Sequence, residues 1–259
     1  MTTRRIHFAH ANGFPSLTYR KLFSLLEPEF AVGYLEKHAH NPDYPVTDNW
    51  KHLAGELKAE IVERYSEPVI GIGHSLGGVL HLLAAFEKPE LYSAIVLLDA
   101  PIISPASSFG LKVMKRTGLL KRYPPASTTR FRRRTFRSRE EAEAYFRSKP
   151  KFAAFDPEVL DDYLDHGLEK SDDGLRLSFE PEIEARIYAT IPTDLPEYRG
   201  RLKVTTFYIG GTDSYEARLA RLGFMKKNFP IEFRFIEGSH LFPLESPSVT
   251  ARTIRDLLI

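Results

Sequence analysis

The stretch Pro68-Val69-Ile70-Gly71-Ile72-Gly73-His74-Ser75-Leu76-Gly77-Gly78 constrains this chain more than any other. A short apolar run ends in Gly73-His74-Ser75-Leu76-Gly77, a G-x-S-x-G pattern. Beyond it Val79, Leu80, Leu82, Leu83 and Phe86 recur at helical spacing until Lys88-Pro89 stops them. The pattern predicts a buried strand, a tight turn with one serine at its apex, and a helix. Glycines at 73 and 77 suit the place where strand and helix converge, since a side chain there would collide. The helix start aims free backbone N–H groups at whatever Ser75 attacks. A phosphate-binding loop has the same strand–turn–helix form but needs G-x-x-x-x-G-K-[ST] or G-x-G-x-x-G. Gly71-Ile72-Gly73 begins the second, but Leu76 stands where its third glycine belongs. The nucleophile reading is the better match.

At 259 residues and 42% hydrophobic, the chain can bury one substantial core, which suits a single α/β domain carrying an insertion. A formal net charge of +2 gives no field for nucleic acid or a membrane surface. The absence of cysteine excludes disulfides, thiolate metal sites and a cysteine nucleophile, and it fits a reducing, cytoplasmic setting. The apolar run Ile6 to Ala11 is too short and broken for a secretory signal, and no segment has the length of a membrane span.

Elements alternate as strand and helix through residue 99. Strands are expected at Arg4–His10, Glu29–Leu35, the elbow strand and Ala94–Asp99. The helix after Thr47 or Asp48 shows an apolar face of Trp50, Leu53, Leu57, Ile61 and Val62. Continuous apolar strands between helices call for a mostly parallel sheet covered on both faces. From about Ile102 to Arg199 convincing strands are lacking and helix-like pieces dominate. Lys203–Gly210, a helix over 216–229, a strand Ile231–Ile236 and a helix Ser248–Ile259 then complete the sheet. The expected organisation is therefore a core of residues 1–101 and 200–259 with a helical cap insertion at 102–199. The insertion lies over the carboxyl ends of the strands, where such sheets bind ligands.

A serine hydroxyl needs an adjacent base, and the base needs an orienting group. Of nine histidines, His240 follows a strand in Glu237-Gly238-Ser239-His240 and is the expected base. His38, His40, His52 and His81 read as surface or satisfied core side chains, and His74 as packing near the site. The orienting carboxylate is expected to be Asp213, in Gly210-Gly211-Thr212-Asp213, with Asp99 as its competitor. Either could instead be a cap or turn residue. The chain order Ser75, Asp213, His240 follows the Ser…Asp/Glu…His order of one fold.

On these residues, with the His10–Pro15 loop after the first strand, the chain resembles the α/β-hydrolase family. The resemblance implies an oxyanion hole made by the N–H of Leu76 and one from His10-Ala11-Asn12-Gly13-Phe14-Pro15. Asn12 is the first choice and Phe14 the second, because Ala11 and Asn12 interrupt the commoner His-Gly-x-Pro form. It also implies a serine hydrolase with no cofactor and no metal, acting through an acyl-enzyme on a carboxylic ester, thioester or lactone. A C–C bond hydrolase, an acyltransferase and a non-catalytic ligand-binding protein are the alternatives. The partner implied is a small molecule, an apolar acyl or aromatic ester. Of the apolar residues Phe109, Leu111, Val113, Met114, Leu119, Leu120, Phe131, Phe136, Tyr145 and Phe146, most are expected to be cap core and some to line an acyl or aromatic pocket above Ser75. Segment 112–151 holds 14 Lys/Arg against 3 Glu, while 152–199 holds 13 Asp/Glu against 4 Lys/Arg. Two halves paired with each other, or solvated, account for this most simply; a basic rim for an anionic substrate is the sharper reading.

Overall fold

Residues with small or branched apolar side chains run unbroken through the central strands, so those strands must be covered on both faces. In the computed structural model, which describes residues 4–122 and 124–259, they are. The sheet strands in the first half of the chain are β1 (Arg4–Ala9), β2 (Phe30–Tyr34), β3 (Val69–His74) and β4 (Tyr92–Leu98). A second, three-stranded antiparallel sheet follows, made of β5 (Thr135–Phe136), β6 (Leu168–Ser171) and β7 (Gly174–Leu177). β8 (Thr206–Gly211) and β9 (Ile231–Ile236) complete the main sheet, whose order is β2-β1-β3-β4-β8-β9 with every pairing parallel.

The chain reverses direction of build between β1 and β3, so the crevice at their carboxyl ends is the place such sheets offer a ligand. The loop after β1 and Ser75 after β3 both open there. Alternate side chains of the strands feed two cores. Ile6, Phe8, Ile70, Ile72, Val96 and Leu98 pack on one face, and Val69, Ile95, Leu97 and Tyr208 on the other. The helix Leu76–Glu87 is buried from Leu76 to Phe86, which is why its sequence is apolar on every side.

Two expectations need correction. The inserted segment is not wholly helical: β5 to β7 are strands of two to four residues carrying Glu169, Lys170 and Arg176, too short and charged to show a period. The helix expected over 216–229 is two, Tyr215–Ala220 and Gly223–Asn228, separated where Arg221 takes φ +53°. Among the described residues no helix is long and apolar enough to cross a membrane.

His38 and His81 also differ from the reading as surface or satisfied side chains. Both are fully buried; the two ring nitrogens of His38 and Nε2 of His81 lack a hydrogen-bond partner, as do both nitrogens of buried His7. Gly71 leaves the room for His81 and Tyr92, since a Cβ there would lie 2.8 Å from each. Burial holds His7 and His10 well below the usual imidazole range and His81 at about 3, with neighbouring histidines adding to the effect. The folded chain keeps these rings neutral while the unfolded chain protonates them near pH 6.5, so the unfolded state binds more protons as pH falls. Stability is therefore full above pH ~6.5 and declines below it, by up to about 1.4 kcal/mol per pH unit for each such ring. Denaturant midpoints should be clearly lower at pH 5.5 than at pH 7.5, a window above ordinary carboxylate titration; equal midpoints would mean these rings are not buried as neutral groups.

Candidate active site

Ser75 sits at the turn between β3 and the helix Leu76–Glu87 with φ +51° and ψ −112°, a conformation that costs a non-glycine residue of order 1–3 kcal/mol. The backbone crowding that demands it is visible at the glycines. A Cβ at Gly73 would lie 2.3 Å from the Gly77 carbonyl carbon, and one at Gly77 would lie 2.0 Å from the Ala9 oxygen. The Ser75 side chain does not cap the helix that it precedes, which leaves its hydroxyl for other use. Leu76, as first residue of that helix, has an N–H with no acceptor inside it.

The carboxylate that reaches His240 is Asp99, not Asp213. His240 Nδ1 lies 2.7 Å from Asp99 Oδ2, and because a carboxylate only accepts, Nδ1 carries the proton and Nε2 offers its lone pair. Asp99 is fully buried after β4, on the strand beside the serine's own; Ser75 N–H donates to the neighbouring Leu98 carbonyl at 2.9 Å. Tyr208 Oη donates to Asp99 Oδ1 at 2.6 Å, and Ser214 Oγ to Oδ2. Burial alone would raise the Asp99 pKa, but the bonds from His240, Ser214 and Tyr208 outweigh it and hold the group below its ordinary value. Asp213 is exposed on the turn after β8; its N–H donates to the Gly238 carbonyl and its own carbonyl accepts from Arg218. It is the next residue, Ser214, that turns inward, toward Asp99.

His74 packs under the site, as expected. It is buried and neutral, its pKa lowered to about 3 by burial and by the nearby His240. Its Nε2 lies 2.8 Å from the His240 carbonyl, so Nε2–H donates there and Nδ1 accepts from Tyr19 Oη at 2.7 Å. Tyr19 Oη in turn accepts from Ala11 N–H at 3.3 Å. One chain of hydrogen bonds thus ties the loop after β1, the serine turn and the histidine loop together.

That loop narrows the choice of oxyanion donor. Ala11 N–H is taken by Tyr19 and Phe14 N–H by the Ala11 carbonyl at 3.1 Å, which removes Phe14. The N–H groups of Asn12 and Gly13 have no partner among the described residues, and Gly13 takes φ +83°. Asp99, Glu216 and His240 bring ligand atoms within 4.8 Å of one another, as a metal site would. Here Asp99 already accepts from Tyr208, Ser214 and His240, so the cluster fits an oriented imidazole better than a cation.

The apolar side chains of the inserted segment divide between the surface and a core of its own, as most of them were expected to do. Phe109 and Phe131 are 70% and 84% exposed, while Phe136, Phe146, Phe152 and Tyr163 pack on one another inside the inserted segment.

Comparison with known proteins identifies the family and the fold. The model of the alpha/beta hydrolase family matches residues 8–253. The chain is 25% identical over 231 residues to the abhydrolase domain-containing protein ACTT2 of Alternaria alternata, covering 73% of this chain and 82% of that protein. Among solved structures, an E-2-(acetamidomethylene)succinate hydrolase superposes with a TM-score of 0.78 at 19% identity, covering 98% of this chain and 91% of the other. The thioesterase domain from the curacin biosynthetic pathway gives 0.72 at 15% identity with the same coverage. The enol-lactonase from Burkholderia xenovorans LB400 gives 0.66 at 17%, covering 100% and 92%.

Replacing Tyr19 with Phe should cost about 1–3 kcal/mol of stability, because it strands a buried N–H and a buried imidazole nitrogen. Urea unfolding of Y19F checks this; an unchanged midpoint would mean that the hydroxyl is dispensable.

Proposed function

This chain belongs to the alpha/beta hydrolase family, and from that premise we propose that it is a serine hydrolase cleaving a carboxylic ester, thioester or lactone through Ser75, His240 and Asp99. The observation that carries the reading is the buried Asp99–His240 bond of 2.7 Å, formed where β3 delivers Ser75. In this mechanism His240 Nε2 takes the Ser75 proton as Oγ attacks the carbonyl carbon, and Asp99 supports the imidazolium that forms. The N–H groups of Leu76 and Asn12 receive the developing oxyanion. Collapse of the tetrahedral intermediate expels the alcohol, thiol or ring oxygen, protonated by His240. Water, deprotonated by the same imidazole, then releases the acid from Ser75.

The segment 102–199 acts as the cap: its Glu184 carbonyl accepts from Asn12 Nδ2 at 3.0 Å, directly over the oxyanion loop. The substrate we infer carries an apolar acyl or aromatic part. Such a substrate also suits the lactone and thioester chemistry named for two of the solved neighbours.

Ser75→Ala should abolish turnover of short p-nitrophenyl esters and labelling by a fluorophosphonate while leaving the thermal melt in place. Asp99→Asn should lower kcat by about 10⁴-fold, as loss of the orienting carboxylate does in the Ser-His-Asp template, whereas Asp213→Asn should stay near the parent rate. The opposite ranking would return the carboxylate role to Asp213; full activity of S75A would end the serine hydrolase reading.

A further inference from the structure

The inserted segment places an unusual charged group against the oxyanion loop. Glu184 is buried, with its carboxylate 2.8 Å from where a Gly13 Cβ would stand. Arg132 Nη2 lies 2.8 Å from Glu184 Oε2, and the two side chains are 24% and 6% exposed. The contact is close but misaligned: Arg132 Nε, Arg132 Nη2 and Glu184 Oε2 are all buried without a hydrogen-bond partner. Nε and Nη2 form one edge of the guanidinium fork, the edge that grips a carboxylate through two parallel bonds. Asn12 Oδ1, on the same loop, is also buried and unpartnered.

A second cation stands beside this one. Lys151 is largely exposed along its length, yet its ammonium lies 4.8 Å from the centre of the Phe14 ring. Loss of water there lowers its pKa, and the ammonium feels Glu184, Arg132 and Glu216 together. Glu216 marks the other side of the site, 3.9 Å from His240 Nδ1 and about half exposed. Glu184 is itself held above its ordinary pKa by burial. Two cations face two carboxylates here, and the Nε–Nη2 edge of Arg132 is left without a hydrogen bond, an unmet donor pair that a further carboxylate would satisfy.

We propose that the Nε–Nη2 edge of Arg132, with Lys151 beside it, holds a carboxylate of the substrate, so that the ester cleaved at Ser75 carries an anionic group. The proposal rests on the hydrolase reading above and adds the substrate class to it. Glu184, which Arg132 touches, lies against Gly13, and its backbone carbonyl accepts from Asn12, so the anion belongs to a compact molecule whose carboxylate and scissile carbonyl are only a few bonds apart.

The test compares esters that differ only in charge. p-Nitrophenyl hemisuccinate against its methyl ester puts the anion on the acyl side; 4-acetoxybenzoate against methyl 4-acetoxybenzoate puts it on the alcohol side. In one of the two pairs the anionic ester should be favoured by about tenfold or more in kcat/KM, chiefly through KM. Arg132→Gln and Lys151→Met should each shrink that ratio. No preference for the anion in either pair, or a ratio that survives both substitutions, overturns the proposal. A separate measurement covers a protein that turns over none of these esters. Succinate and benzoate are added to Ser75→Ala, and the melting temperature is compared with that of Ser75→Ala/Lys151→Met. A rise confined to the first protein supports the carboxylate site even where the hydrolase reading has failed, and no rise in either overturns it.

Discussion

No side chain can stand between Ala9 and Gly77. The backbone of the helix after Ser75 lies against the end of β1 so closely that a single methyl group at Gly77 would sit 2.0 Å from a carbonyl oxygen. Gly77 N–H instead donates to the His10 carbonyl at 3.2 Å. Because of that contact, the loop bearing Asn12 and the turn bearing Ser75 move as one body. The strain at Ser75 is held in place by buried strand and helix on either side. A hydrolytic serine needs this rigidity: its oxyanion donors act only when they are in position before charge develops.

The histidine is fixed by two independent sets of bonds. Its ring is aimed by Asp99, which spends its remaining acceptor capacity on Tyr208 and Ser214. Its backbone carbonyl is held by His74, which Tyr19 and Ala11 orient in turn. Both sets run from the half-buried His240 into the interior, where each buried donor must find its acceptor or incur a desolvation cost of about 1–3 kcal/mol. Neutral His74 suits this role. A charged ring could not accept from Tyr19, and burial holds its pKa at about 3.

Much of this was legible in the sequence because it rests on local pattern. The elbow, the parallel strands and the histidine after β9 each declare themselves through glycine spacing or apolar runs. The identity of the orienting carboxylate does not. Asp99 and Asp213 both follow a sheet strand, and what separates them is which one lies inside. Four fully buried residues, Ile95 to Leu98, deliver Asp99 inward beside the serine strand, while the exposed turn after Gly211 carries Asp213 outward. Tyr208 would have been the clue, as a buried hydroxyl in need of a partner, but Ser214 already reads as the cap of the helix Tyr215–Ala220, and the convergence of both on residue 99 is tertiary. The short charged strands of the inserted segment were hidden for a different reason. Two to four residues show no period, and these strands pair only with one another.

The charge pattern of the inserted segment separates into two kinds of pair. Arg139 with Asp161 and Asp165, Arg134 with Glu182 and Lys112 with Glu197 join basic and acidic stretches at the surface. Exposed pairs of that sort contribute about 0–1 kcal/mol each and join part of the basic half to the acidic half. Arg132 and Glu184 are of another kind. Taking both out of water costs several kcal/mol per ion, and a misaligned contact recovers little of it. Apolar side chains of similar volume would stabilise this position better, and the same segment has phenylalanines enough elsewhere. Stability therefore does not account for the pair. Its position against Asn12 and Gly13 makes recognition the physical reason for keeping charge there.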